Sequence, residues 1–200
     1  MNTIKTEKLA ARDFITIGIF AAISLVIFFV VGAAAGVTLV GTVANIPITV
    51  FFKSIAYMLL VSKVRKKGTF LIMGTINALP GLMPGNIIGV VATIAGWGIA
   101  EIVASANHYK NKKVLILSYM IGCTLHSVGF TLPMYLSNAQ YLIDRQEILH
   151  LTEEALNQYL QVFTWPMFFG MVALTVVTSF LGAFISARIL KKHFEKAGLL

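Results

Sequence analysis

An apolar run, DFITIGIFAAISLVIFFVV, occupies residues 13–31 and constrains the fold of this chain more than any other feature. A helix needs roughly 20 apolar residues to cross a bilayer core of about 30 Å, and this run is long enough. Over the whole chain, 58% of the residues are hydrophobic and 12% are charged. That balance leaves too little polar surface for a water-soluble domain, so the sequence predicts an all-α membrane protein.

Six apolar segments are predicted to span the membrane: 13–34, 38–62, 69–84, 86–106, 114–136 and 164–190. Basic residues gather in four clusters between and beside them: Lys5, Lys8 and Arg12; Lys63, Arg65, Lys66 and Lys67; Lys110, Lys112 and Lys113; Arg188, Lys191, Lys192 and Lys196. Six crossings bring all four clusters to one face, and the positive-inside rule makes that face cytoplasmic. We therefore expect residues 1–200 to form one integral domain of the cell membrane, with six transmembrane helices and with the N and C termini cytoplasmic.

The N-terminal segment is short and charged, and no small-residue cleavage site follows it, so the first run is predicted to be a retained helix. The basic clusters are expected to meet anionic lipid headgroups of the bilayer rather than nucleic acid.

The opposite face carries a long connector, residues 137–163, which is rich in acidic residues. Leu149, Leu156 and Leu160 recur within it at helical spacing, which predicts an amphipathic helix on or over the outer mouth. The connector serves either as a lid or as a surface link without ligand contact. Trp165 and Pro166 then begin the sixth span, where an interfacial aromatic residue and a helix-starting proline are expected.

Helix breakers make the second and third spans irregular. Asn45 and Pro47 lie in the outer part of the second span, where proline is expected to bend the helix. The third span is short and contains Gly74, Asn77, Pro80, Gly81 and Pro84. Non-helical backbone at membrane depth is tolerated where it is buried or lines a cavity, so a binding cavity is predicted at the outer ends of spans two to four.

Polar side chains within the spans are costly in lipid and should face protein or a ligand. Lys53 and Glu101 lie at similar depth, and we expect them to form an intramembrane ion pair, with contact to a substrate or partner as the alternative. His126 is central in the fifth span and is predicted either to bind ligand or to bond a neighbouring helix. No second histidine, cysteine or carboxylate accompanies it at ligand spacing, so no metal site is predicted.

The chain lacks the usual catalytic motifs. It has no histidine pair with a glutamate at metalloprotease spacing, no phosphate-binding glycine loop with a lysine, and no glycine-flanked serine beside a base. The chain is therefore not expected to be an enzyme, nor to hold a cofactor of its own.

Several segments carry a resemblance to a known family. They are TIGIFAA at 16–22, YMLLVSKV at 57–64 with Lys67 and Gly68 after it, and YKNKK at 109–113 before LSY at 117–119. With the six predicted spans and the chain length, they resemble the substrate-binding S components of energy-coupling factor (ECF) importers, and more narrowly the subfamily called Trep-Strep.

The resemblance implies a high-affinity binder of a vitamin or related micronutrient that cannot pump alone. S components dock on a transmembrane T subunit coupled to two cytoplasmic ATPases, which use the ATP, and are thought to topple in the membrane. The family's docking motif is a pair of alanines four residues apart on the first helix. Gly18 and Ala22 match that spacing here, and Ala21 is a further candidate for the same face.

The resemblance also places the ligand pocket in the outer half of the membrane. By depth and side-chain chemistry, the candidate substrate-binding residues are Asn77, Asn86, His126, Tyr135 and Trp165. A small vitamin precursor and a large planar ligand such as haem or a corrinoid both fit this set. A stand-alone secondary transporter and, less favoured, an intramembrane enzyme remain the alternative functions.

Overall fold

The computed structural model describes residues 8–137, 140–148 and 150–196, and all regular secondary structure within them is helical. In chain order the elements are α1 (Ala11–Ala35), α2 (Leu39–Val43), α3 (Asn45–Lys63), α4 (Thr69–Ala78), a 3-10 turn (Leu79–Leu82), α5 (Ile87–Ala106), α6 (Lys112–Leu136), α7 (Gln140–Ile143), α8 (Glu153–Val162) and α9 (Trp165–Lys196). The predicted all-helical class is confirmed.

Five of these helices, α1, α3, α5, α6 and α9, are long and apolar enough to cross a membrane. The predicted third span is shorter, because α4 and the 3-10 turn together cover only Thr69–Leu82. At helical rises of about 1.5 and 2.0 Å per residue, this unit reaches roughly 23 Å, which is less than a hydrocarbon core of about 30 Å. A sixth full crossing therefore stays a prediction.

The second predicted span, 38–62, is divided between two helices. α2 is a short separate helix, and α3 starts only at Asn45, so Pro47 lies in the first turn of α3. A proline in a first turn removes no internal hydrogen bond. The irregularity predicted around Asn45 and Pro47 is thus present as a break at Ala44 between two helices, rather than as a bend within one helix.

Helix α3 occupies the centre of the bundle and contacts α1, α4, α6 and α9, while α5 packs between α4 and α6. In the most apolar stretch of α3, 56% of the residues are buried, whereas only 17% are buried in the corresponding stretch of α1. Helix α1 is thus peripheral, and much of its apolar surface faces outward.

Aromatic rings form the core of one half of the bundle. Tyr57 stacks on Trp97 with centroids 4.7 Å apart, and Phe70 lies 6.0 Å from Trp97. Glycines make room for the indole, because a Cβ at Gly74 or Gly122 would come within 2.1 or 2.4 Å of its atoms. Three helices therefore meet closely around this side chain.

Basic residues collect at the end of the bundle where α3, α5 and α9 finish and where α1, α4 and α6 start. Arg65, Lys110 and Lys112 line one hollow there. The Asp13 carboxylate accepts a hydrogen bond from Lys66 Nζ at 2.8 Å and another from the Ala10 amide at 2.7 Å. We refer to this end as the basic end.

Glu101 has a structural role at the basic end. Its carboxylate accepts hydrogen bonds from the backbone amides of Gly68, Phe70 and Leu71, at 2.8, 3.0 and 3.4 Å, and from the Tyr109 hydroxyl. These amides begin α4, and a carboxylate is favoured at a helix N-terminus. Lys53 and Glu101 are both described, and no ion pair joins them. The predicted pairing is therefore wrong, because helix-terminal amides satisfy the carboxylate instead.

Candidate ligand-binding site

A cavity of about 390 Å³ lies at the end opposite the basic end. Its position follows from the helix directions, since it is bounded by the start of α3, the later turns of α6 and the first turns of α9. The lining residues are Gly36, Thr42, Val43, Ile46, Pro47, Ser127, Phe130, Thr131, Met134, Tyr135, Leu142, Leu151, Tyr159, Phe163, Phe168 and Met171.

The connector closes one side of this cavity. The predicted amphipathic helix is present as α8, where the Thr152 hydroxyl accepts a hydrogen bond from the Ala155 amide and caps the N-terminus. Leu156 is buried, and Tyr159 and Phe163 line the cavity. Leu149, which the sequence placed on the same apolar face, lies outside the described residues. The connector thus supplies cavity wall as well as a link between spans.

Arg145 ties the connector to the loop before α5. Its Nε donates to the Pro84 carbonyl at 2.8 Å, and Nη2 approaches the Gly85 carbonyl at 3.4 Å. The guanidinium carbon also lies 3.8 Å from the centre of the Tyr141 ring, which suits a cation–π contact. One side chain therefore fastens the connector across the mouth of the bundle.

The cavity wall is apolar and aromatic, with a few hydroxyl groups. Tyr135 packs against Phe163 and Phe168 with ring centroids 4.9 and 5.0 Å apart. The Thr131 hydroxyl donates to the Ser127 carbonyl at 2.7 Å. Among the described residues, the hydroxyls of Tyr135 and Tyr159 have no hydrogen-bond partner, so both are free to bond a ligand.

Two of the predicted aromatic residues lie close together at this end. Tyr135 lines the cavity, and the Trp165 ring lies 5.7 Å from the Tyr135 ring. Trp165 is 44% exposed and lines a neighbouring groove of about 590 Å³ that shares Met134, Tyr135 and Phe163 with the cavity. Trp165 therefore stands beside the cavity rather than within its wall.

The other three predicted site residues join helices to one another. Asn77 Oδ1 accepts from the Ser24 hydroxyl at 2.7 Å, and His126 Nδ1 lies 3.0 Å from the Thr93 hydroxyl. Asn86 accepts from the Gly89 amide at 2.9 Å and donates to the Phe130 carbonyl at 3.0 Å. None of the three lines the cavity, and ligand contact by them stays a prediction.

Asn77 and His126 instead border a small closed chamber. It measures about 10 Å³ and is also lined by Lys53, Tyr57 and Thr93, which leaves room for about one water molecule. The Lys53 ammonium lies 5.5 Å from the centre of the Phe28 ring, and the buried Tyr57 hydroxyl has no partner among the described residues. The chamber adjoins the cavity on the side of the basic end, because its residue His126 directly precedes the cavity residue Ser127 in α6.

The predicted docking residues on α1 point in two directions. Gly18 and Ala22 are exposed on one face, and a Cβ at Gly18 would meet nothing within 4 Å. Ala21 is buried in the core with 1% exposure. The exposed small-residue pair, Gly18 and Ala22, is therefore separate from Ala21, which packs inside the bundle.

The sequence prediction missed several cavity residues, among them Thr131, Tyr159 and Phe168. A signal for one of them was present, because Leu156, Tyr159 and Phe163 recur at i, i+3 and i+7 in the connector. No comparable pattern marks Thr131 or Phe168, which lie in uniformly apolar helices. Within the described part of the chain, no three potential metal ligands lie together.

Comparison with known proteins yields one family. No curated protein and no solved structure matches the chain. A family model described as a hypothetical bacterial integral membrane protein (Trep_Strep) matches residues 11–196. The chain therefore belongs to the Trep_Strep family of bacterial integral membrane proteins.

Proposed function

We propose that this chain is the substrate-binding S component of an ECF-type importer, with the basic end and both termini in the cytoplasm. The observation that carries the proposal is the cavity of about 390 Å³, which lies at the end remote from the basic clusters and is walled by the connector. Its volume falls in the range of about 300–1,000 Å³ that is usual for small-molecule sites. A micronutrient arriving from outside would enter at this end.

The exposed face of α1 supports the docking part of the proposal. Gly18 and Ala22 leave a shallow bare strip on this face, and small residues four apart allow another helix to approach closely. Both lie in the half of α1 nearer the basic end. A T subunit docked there would reach the substrate-binding chain from its cytoplasmic half.

Partner subunits would supply the energy for transport. The chain has no phosphate-binding glycine loop with a lysine, so ATP hydrolysis is assigned to two cytoplasmic ATPases bound to the T subunit. The substrate is a vitamin or related micronutrient, and toppling of this chain in the membrane carries it inward.

Co-purification with the T subunit and ATPases of the same cell tests the proposal. Replacing Gly18 and Ala22 by tryptophan should abolish that association while leaving ligand binding by the isolated chain intact. Val30→Trp is the matched control, because Val30 is 63% exposed on the same helix but lies near its other end. Unchanged association of the Gly18 and Ala22 variants would contradict the docking face, and loss of both properties would assign them a folding role.

A stand-alone secondary transporter is the second candidate. Lys53 and His126 border one closed chamber in the membrane interior, and ionisable residues at such depth often mark proton or ion pathways. Accumulation of substrate by the purified chain alone in vesicles would favour this candidate over the importer subunit.

A further inference from the structure

We infer that the cavity selects an uncharged, compact ring compound that it recognises through the hydroxyls of Tyr135 and Tyr159 and through ring packing. The inference rests on the proposed function, since it takes this cavity as the substrate site. It adds the chemical class of the substrate, which is a neutral mono- or bicyclic molecule with one or two hydrogen-bonding groups.

The absence of charge in the cavity wall is the first step. None of the described residues that line it is acidic, basic or histidine. A charged group taken out of water is stable only when it is paired and hydrogen-bonded. A carboxylate or phosphate on the ligand would lose its hydration here without gaining a counter-charge, so the wall disfavours anions.

The nearest cationic side chains do not change this conclusion. Lys53 borders the separate small chamber, and its ammonium is directed at the Phe28 ring. The Arg145 guanidinium already donates to the Pro84 and Gly85 carbonyls and packs on Tyr141. Neither side chain lines the cavity, so an acidic ligand would find no salt-bridge partner there.

Cations lack a partner as well. Aromatic rings in the wall attract ammonium groups, but this attraction is weaker than the hydration that a cation loses when it leaves water. The acidic residues at the start of α8, Glu153 and Glu154, are exposed and do not line the cavity. Without a carboxylate in the wall, a permanent cation gains less than a neutral ring of the same shape.

Polar recognition falls to the two tyrosines. Their hydroxyls have no partner among the described residues. By contrast, Thr42 and Thr131 already donate to the carbonyls of Thr38 and Ser127, and Ser127 itself is only 2% exposed. A phenolic hydroxyl both donates and accepts, which suits an amide, a carbonyl or a hydroxyl on the ligand. Mainly apolar walls with a few placed polar groups are typical of small-molecule sites.

Size and charge together decide between the two ligand types left open by the sequence. Haem carries two carboxylates, which the cavity wall does not neutralise. A corrinoid is far larger than a mono- or bicyclic ring and exceeds a cavity of about 390 Å³. The compact neutral compound is therefore favoured over both macrocycles.

The test is a binding screen on the purified full-length chain with compounds arranged in matched charge states. Nicotinamide, nicotinate and 1-methylnicotinamide form one set, which is neutral, anionic and cationic on the same ring. A further set pairs pyridoxine with its 5′-phosphate, which adds a negative charge to the same single ring. Ligand-induced shifts of the unfolding temperature identify hits, and calorimetric titration gives their affinities.

Met171→Trp fills the cavity, and Phe169→Trp is the matched control because Phe169 is 63% exposed on the outer side of the same helix. Neutral hits should bind the native chain and Phe169→Trp equally, and Met171→Trp at least tenfold more weakly. Charged members of each set should bind the native chain at least tenfold more weakly than the neutral member. Thr131→Phe provides a second block if Met171→Trp does not fold.

Two results would overturn the inference: charged members binding as tightly as their neutral counterparts, or no compound showing a shift that the blocking variants remove. The screen uses the isolated chain, so its outcome is separate from that of the T-subunit association. If neutral compounds bind but the chain does not associate with a T subunit, the importer proposal alone is contradicted. If charged compounds bind and the chain does associate with a T subunit, this inference alone is contradicted.

Discussion

Replacing Glu101 by alanine should destabilise the protein strongly, because one carboxylate satisfies the start of α4 and the Tyr109 hydroxyl together. Glu101 is 5% exposed and accepts from three backbone amides. Gly68, which provides one of these amides, has a φ of +101°, so the local backbone depends on glycine as well as on the carboxylate. Alanine leaves these buried donors without an acceptor.

The magnitude follows from the number of bonds lost. Hydrogen bonds to charged groups contribute about 1.5–3 kcal/mol each, and removing one partner of a buried charged network costs about 3–5 kcal/mol in total. For a chain of this length, each kcal/mol lowers the unfolding temperature by about 2–4 °C. The expected loss for Glu101→Ala is therefore about 6–20 °C.

Two graded variants separate charge from shape. Glu101→Gln keeps one carbonyl oxygen but turns a donating NH₂ group toward backbone donors, so we expect a loss of about 1.5–3 kcal/mol. Tyr109→Phe removes a single donor to the carboxylate and should cost about 1.5–3 kcal/mol. Burial, and then the bond to Glu101, raises the pKa of the Tyr109 hydroxyl. The hydroxyl therefore stays protonated, and its contribution should not vary between neutral and mildly alkaline pH.

Thermal unfolding of the purified variants in detergent measures these losses, with Glu147→Ala as the control because Glu147 is an exposed carboxylate in the connector. The reasoning is refuted if Glu101→Ala unfolds within about 2 °C of the native chain, which corresponds to no more than about 1 kcal/mol. An equal effect of Glu147→Ala would show that loss of charge alone is responsible.

Three further changes have defined outcomes. Gly122→Ala should lower the unfolding temperature by several degrees, since its Cβ would come 2.4 Å from Trp97. Gly98→Ala is the control and should leave the unfolding temperature unchanged, because a Cβ at Gly98 would meet nothing within 4 Å. Arg145→Gln should increase the dissociation rate of a bound ligand about tenfold, which corresponds to about 1.4 kcal/mol. Stopped-flow release of the ligand measures this rate, and an unchanged rate would contradict the fastening role of Arg145. Tyr57→Phe should move the unfolding temperature by less than about 2 °C, since its hydroxyl has no partner among the described residues, and a larger loss would reveal a bonded water in the chamber.

The long apolar segments were predicted closely because their hydropathy alone specifies them. The predicted spans 86–106 and 114–136 correspond to α5 (Ile87–Ala106) and α6 (Lys112–Leu136) within two residues. Asn45 and Pro47 marked the second span as irregular, but hydropathy did not show that the span divides into two helices at Ala44, because the residues on both sides are apolar. Hydropathy records whether a segment prefers lipid, and it does not record where the backbone turns.

Side-chain partners were harder to predict than helices. Their depth in the membrane suggested that Lys53 and Glu101 pair. In the structure, backbone amides donate to the Glu101 carboxylate instead, and a sequence pattern does not show which backbone amides lie near a side chain. Asn77 and His126 were singled out as polar groups inside spans, and each bonds a hydroxyl on a neighbouring helix. Tyr135 lines the cavity because it lies on the correct face of α6, one of many positions that depth alone allowed.

Transport by a reconstituted complex tests the central claim most directly. The chain would be placed in proteoliposomes with its T subunit and ATPases, and uptake of a neutral compound identified by the binding screen would be measured with and without ATP. The account predicts ATP-dependent accumulation that is lost with bulky residues at Gly18 and Ala22 and retained with Val30→Trp. Equal accumulation by this chain alone, without partners or ATP, would contradict it.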